Sequence, residues 1–243
     1  MVWLLACTGS DPDDTPDSTA DTHDSVAEFT PPDWCPAPES GRQDVTTTDG
    51  SPYYVQHPEG DGLDAPIVVF LPGGNGKGGA NGHATASWGA FFDGDPRGYR
   101  LVMPYVEGND YPQTDVPDVE AVLDEVLACF GGDGSRVHLA GHSNGGYLAY
   151  NVVGPDLAER FLSITGAPAY FVQFKSNKLE GLAFHNSAGE TDTAWLGYME
   201  DAHAQLEDAG FESELTVWPG EGHTPSASWD GRDGMFAFWD EHQ

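Results

Sequence analysis

From Gln43 onward the apolar and polar positions follow two periods in turn. Val45-Thr-Thr-Thr and Tyr53-Tyr-Val-Gln are short β-rich runs on either side of Asp49-Gly50, and runs of that kind around a turn dipeptide predict an N-terminal β-hairpin. Residues 66–71 (PIVVFL) and 99–104 (YRLVMP) are continuous apolar runs, the pattern of strands buried on both faces. Residues 87–92 fit a short helix between them. Val116, Val119, Val122, Leu123, Val126, Leu127 and Phe130 recur at helical spacing, and Gly131-Gly132 ends that helix. The alternation then repeats: a strand at 136–140 (RVHLA), a helix over 145–153, strands at 161–165 and 181–185. Trp195, Tyr198, Met199, Ala202 and Leu206 share one helical face that stops at Gly210. A last strand at 214–218 precedes a C-terminal helix rich in Phe and Trp. Repeated β-α units with buried strands predict an α/β fold: one mostly parallel sheet with helices on both faces, and no second domain or internal repeat.

The first thirty residues break this pattern. Residues 1–7 read MVWLLAC and residues 8–25 are, apart from His23, small, acidic or Pro, a composition that buries too little apolar surface to offset its ordering entropy. The expected organisation is a signal remnant over 1–7, a disordered acidic tether over 8–30 and a catalytic domain over 31–243. Leu4-Leu5-Ala6-Cys7 resembles a bacterial lipobox, which would put a lipid anchor on Cys7 and export the domain to the cell envelope. Its apolar region is short and no basic segment precedes it, so a chance LLAC is the plain alternative. With Cys7 set aside, Cys35 and Cys129 form an even pair for an oxidising compartment, or two unrelated thiols.

Composition narrows the partners. Nine Lys+Arg against 40 Asp+Glu give the 243-residue chain a formal charge of -31, which repels phosphate backbones, so nucleic acid is not an expected partner. No apolar stretch approaches the roughly 20 residues of a membrane span, so the only membrane link expected is the anchor on Cys7.

Gly141-His142-Ser143-Asn144-Gly145 closes the run RVHLA and opens GYLAY. That context suits a nucleophile elbow, a turn that lifts a serine hydroxyl out of the sheet. The glycines sit where a side chain would strike the neighbouring strand or helix. An idle Ser in a Gly-rich turn is the plain alternative. A second Gly-rich loop, residues 71–76 (LPGGNG), lacks the G-K-S/T ending of a phosphate loop, and the acidic field opposes phosphate.

The segment RVHLAGHSNGGYLAYNVVGPDLAERFLSITGAPA resembles the elbow region of secreted α/β-hydrolase esterases of the polyhydroxybutyrate depolymerase and feruloyl esterase type. The likeness is specific at the elbow and loose over the rest, from about Val45 onward. It implies a serine esterase with Ser143 as nucleophile and its partners in the order Ser, acid, His. His223, in a Gly-flanked loop after residues 214–218, stands where the family places its histidine, a surface-loop His being the plain alternative. His142, His138, His185 and His203 are set aside, as an elbow residue aimed away from Ser143, two strand residues and one on a polar helix face. Asp192 matches the family's G-x-x-D pattern and equally suits a helix N-terminus; Glu190 is the runner-up. The oxyanion donors expected are the backbone N–H groups of Asn144 and Gly74, with Asn75 second to Gly74. Pro72-Gly73 stands where relatives usually have His-Gly. Too few residues, about 170–180, separate the strands after the elbow for a lid domain, so the cleft should be open. Trp88, Tyr105, Trp195 and Trp218 read more readily as core than as substrate platform. No metal and no cofactor is required. The substrate expected is an extracellular ester of polyester, feruloyl or acetylated-polysaccharide type, the alternatives being a serine peptidase or a catalytically silent binding module.

Overall fold

A computed structural model of the chain describes residues 29–74, 94–106, 116–224 and 231–243. Cys7, the tether apart from its last two residues, and the expected helix at 87–92 with Trp88 lie outside the described residues. The frame is an eight-stranded sheet in the order β1-β2-β4-β3-β5-β6-β7-β8. Its strands are β1 (Arg42–Thr46), β2 (Pro52–Gln56), β3 (Ile67–Leu71), β4 (Arg100–Pro104), β5 (Val137–Gly141), β6 (Ser163–Gly166), β7 (Ala183–Gly189) and β8 (Ser213–Trp218). The hairpin makes the antiparallel edge, β1 on β2 and β2 on β4. All other neighbours are parallel.

Strand side chains alternate between faces, and two apolar layers follow. Ile67, Val69 and Leu71 join α1 (Val119–Phe130), α2 (Asn144–Leu148) and α3 (Thr193–Asp208) in one core. Val68 and Phe70 meet Met235, Phe236, Phe238 and Trp239 of α4 (Arg232–Glu241) in the other. Burial on both sides is why the central strands read as unbroken apolar runs.

Three boundaries differ from the sequence pattern, each for a local reason. Helix α1 starts at Val119, because the Asp118 carboxylate accepts the Ala121 N–H at 3.0 Å as an N-cap; Val116 is left outside the helix, 41% exposed. The helix after the elbow is α-helical only through Leu148 and passes into a π-helical turn, Ala149–Val153. Strand β7 continues four residues beyond His185 to Gly189. Its added residues are small or polar but buried: Asn186 accepts the Tyr150 hydroxyl at 2.9 Å and Ser187 donates to the Gly166 carbonyl at 3.0 Å. The connection from β6 to β7 holds one short 3₁₀ turn, Ser176–Lys178, and no lid domain.

Cys35 and Cys129 form a disulfide across 94 residues, with their Cα atoms 5.2 Å apart. It pins the segment before the hairpin to α1. Buried Glu125 on the same helix accepts the Thr48 N–H at 2.9 Å and the Tyr53 hydroxyl at 3.3 Å, so hairpin and helix form one unit.

Two buried imidazoles make folding sensitive to acid. Burial, then the charges of His242 and Arg136, pushes His138 down to about 3. Burial, then His242, pushes His185 down to about 4. Both folded values lie below the ordinary 6.5, so the unfolded chain takes up more protons between about pH 6.5 and 4. The stability these neutral rings confer is complete above that window and is lost as pH falls through it. Urea titrations at pH 7.5, 6 and 4.5 are expected to show unfolding free energy falling by roughly 2 kcal/mol per imidazole. Equal stability at pH 7.5 and 4.5 would contradict this.

Candidate active site

The parallel strands share a direction, so their carboxyl ends gather at one edge, where α/β sheets hold ligands. Leu71 pairs with Gly141 and Gly141 with Gly166, so β3, β5 and β6 end level. The described candidate residues follow the carboxyl ends of β3, β5, β7 and β8.

Ser143 sits between β5 and α2 with φ 56° and ψ -116°, a region costly for a residue with a Cβ. The neighbouring glycines hold it there. A Cβ on Gly145 would lie 2.0 Å from the Leu71 carbonyl oxygen, and one on Gly141 would lie 2.4 Å from the Gly145 oxygen. The Ser143 N–H donates to the Pro168 carbonyl at 2.8 Å. The chain therefore turns as tightly as the motif requires, and the serine is 9% exposed.

His223 lies 80 residues further along, yet its Nε2 is 2.9 Å from Ser143 Oγ. Its Nδ1 donates to Asp192 Oδ2 at 2.6 Å. Asp192 precedes α3 but makes no side-chain cap, so its carboxylate, with a side chain 13% exposed, serves the imidazole and not the helix end. Glu190 faces elsewhere and accepts the Gly220 N–H at 2.8 Å. The histidine loop rests on the end of β7: Thr191 donates from N–H and hydroxyl to the Glu221 oxygen at 2.9 and 2.7 Å. A Cβ on Gly189 would lie 2.3 Å from the Gly222 oxygen, so only glycine lets the loop approach.

Gly74, at φ 65°, has its carbonyl bound by the Asn144 side-chain amide at 2.6 Å, which draws the loop after β3 to the residue following Ser143. Asn75 is outside the described residues.

The remaining histidines separate by environment. His138 meets the Ser163 hydroxyl at 2.8 Å and His185 the Thr216 hydroxyl at 3.0 Å, both inside the sheet. His203 meets the Ser213 hydroxyl at 2.8 Å. His142 does not face Ser143, in keeping with its place in the motif, but its Nε2 lies 2.8 Å from the His223 carbonyl.

An aromatic surface borders the site. The Trp195 ring is 4.9 Å from that of His223, Tyr170 is 5.5 Å from Trp195 and 5.3 Å from Tyr198, and Tyr147 is 5.6 Å from Tyr170. Tyr198 is 48% exposed. Asn151 fixes the loop that carries Tyr170, donating to the Tyr170 and Tyr147 carbonyls and accepting the Val172 N–H, all at 2.8 Å. Burial, then the Tyr147 and Tyr198 phenols, raises the Tyr170 hydroxyl above its ordinary value. Of the aromatics read as core, Tyr105 and Trp218 are buried, whereas Trp195 packs on the imidazole. Its position three residues after Asp192 is the signal that could have marked it, since the first turn of that helix must face the histidine.

Solved structures similar to this one include a thermostable esterase, at 17% identity and TM-score 0.63, over 82% of this chain and 62% of that one. Esterase Est22 matches at 16% and 0.62, over 84% and 80%. One of two prolyl endopeptidases matches at 15% and 0.54, over 84% and 38%. The chain has the α/β-hydrolase fold. It spans less than two thirds of the thermostable esterase and of the prolyl endopeptidase. No family model and no curated protein matches the sequence. Within this α/β-hydrolase sheet, Ser143 follows β5, Asp192 follows β7 and His223 follows β8, the chain order Ser, acid, His expected for the fold.

Proposed function

We propose that the protein is a serine carboxylic-ester hydrolase. The observation that carries this is the continuous relay from Asp192 to His223 to Ser143, with contacts of 2.6 and 2.9 Å. A serine hydroxyl is a weak nucleophile, and a base within hydrogen-bond reach removes its proton as it attacks. In this reading Ser143 Oγ adds to the ester carbonyl carbon while its proton passes to His223 Nε2. Asp192 keeps the proton on Nδ1 and stabilises the imidazolium. The backbone N–H groups of Gly74 and Asn144 receive the oxyanion. Collapse breaks the carbon–alkoxide bond, and His223 gives its proton to the departing oxygen. Water, deprotonated by the same imidazole, then splits the acyl-serine to a carboxylic acid and free Ser143.

Uncharged esters fit the surroundings best. The charge of -31 disfavours anionic substrates, and the rings from Trp195 to Tyr147 offer apolar faces beside the reacting atoms. Polyester, feruloyl and acetylated-polysaccharide esters are the classes proposed. The disulfide favours an oxidising compartment, consistent with export and with a lipid anchor on Cys7.

The prolyl endopeptidase among the similar structures makes a peptidase the competing reading. An amide needs more help to leave, and peptidases hold the substrate in register with extra structure. The short β6–β7 connection supplies none. The test is kcat/KM on a p-nitrophenyl ester and a p-nitroanilide with the same acyl group. A large excess for the ester is expected; comparable values would reverse the choice. No reaction of Ser143 with a fluorophosphonate would favour a silent binding module.

A further inference from the structure

His142 has a use that its place in the elbow does not suggest. It is 2% exposed and its backbone is fixed on both sides: its N–H donates to the Leu71 carbonyl at 3.1 Å, and its carbonyl accepts the Gly145 N–H at 2.8 Å. From this anchored position the ring reaches the His223 loop, with Nε2 at 2.8 Å from the His223 carbonyl oxygen. A carbonyl only accepts, so Nε2 carries the proton. The two imidazole rings lie 4.9 Å apart at 45°. On its other side the ring rests on the loop after β3, where a Cβ on Gly73 would lie 2.3 Å from His142 Nδ1. Glycine at position 73 is what leaves room for it.

We propose that His142 is a positioning residue, whose Nε2–H holds the main chain at His223 and so aligns that imidazole with Ser143. This rests on the assignment of Ser143 and His223 above. The His223 side chain is 37% exposed, and the described residues of its loop, 219–224, form no helix or strand. Thr191 ties that loop at Glu221, two residues before the histidine. The bond from His142 ties it at His223 itself and refers it to the turn that carries the nucleophile. The ring also fills the space over Gly73, next to the expected oxyanion donor Gly74. One side chain thus sets the base relative to the nucleophile, and a misplacement of about 1 Å in such a relay costs on the order of a hundredfold in rate.

The test uses the whole protein with two substitutions, His142→Gln, which keeps an N–H donor of similar reach, and His142→Met, which keeps bulk without a donor. Active sites are titrated with a fluorophosphonate so that rates refer to folded, reactive sites, and melting temperature is followed in parallel. For His142→Met, kcat per titrated site on a p-nitrophenyl ester is expected to fall about 30- to 100-fold with KM changed less than about threefold. The rate of phosphonylation of Ser143 should fall with it, and His142→Gln should recover most of both. Equal kcat per site in all three proteins, or a loss shared equally by Gln and Met, would overturn the proposal. So would a collapse of melting temperature and titratable sites in His142→Met, which marks a packing role. If unmodified protein fails to react with the fluorophosphonate, the assignment of Ser143 fails instead, and the two failures are separable.

Discussion

Replacing Ser143 with alanine is expected to lower kcat on a p-nitrophenyl ester by about 10⁴-fold or more, the usual cost of removing the nucleophile from a serine triad. What remains should be the small turnover that binding and the oxyanion donors give to direct attack by water. The fold should not suffer. The substitution removes one hydroxyl, while the contacts that force the turn belong to the backbone: the Ser143 N–H on Pro168, and the close approaches of Gly141 and Gly145 to the chain around them. The variant should therefore melt within a few degrees of the parent and refuse the fluorophosphonate. Retention of a tenth of the parent activity would sink the assignment of Ser143.

That elbow was legible in the sequence because its requirements are local. A buried apolar strand, glycines around a serine and an apolar helix are all written within some twenty residues. The parallel sheet was legible for a similar reason, since strands covered on both faces, such as Ile67–Leu71, read as unbroken apolar runs. Where burial is polar the signal fades. The last residues of β7 hide Asn186 and Ser187, and their partners Tyr150 and Gly166 come from distant segments. The π-helical turn after α2 leaves no mark in apolar spacing. At the site, Ser143 followed from its motif, whereas Asp192 and His223 needed a family resemblance, because the three meet only where the loops after β5, β7 and β8 converge at one edge of the sheet. His142 and Trp195 escaped for the opposite reason. Each has a good local explanation, as an elbow residue or an apolar helix position, and only the folded chain brings their rings against His223.

The order of the two acidic residues in Gly189-Glu190-Thr191-Asp192 gives the second large effect. Asp192→Asn is expected to cost about 10⁴-fold in kcat, and Glu190→Gln less than about threefold. The carboxylate of Asp192 can only accept, so it keeps the proton on His223 Nδ1 and leaves Nε2 free to take the proton of Ser143, 2.9 Å away. A carboxamide in the same place can turn its NH₂ toward Nδ1. The imidazole then carries its proton on Nε2, where it cannot act as base, and the imidazolium formed on attack loses its counter-charge. Size and shape barely change, so the loss should appear in kcat, with melting temperature and KM close to the parent. Glu190 is different, because its carboxylate accepts the Gly220 N–H and the carbonyl oxygen of glutamine can do the same. The histidine loop should keep its place in that variant, and the relay with it. A steady-state comparison of both variants on one ester, at a pH where the parent rate is flat, decides the matter: the reverse ranking would move the orienting acid to Glu190, and two small losses would mean that His223 works without a carboxylate partner.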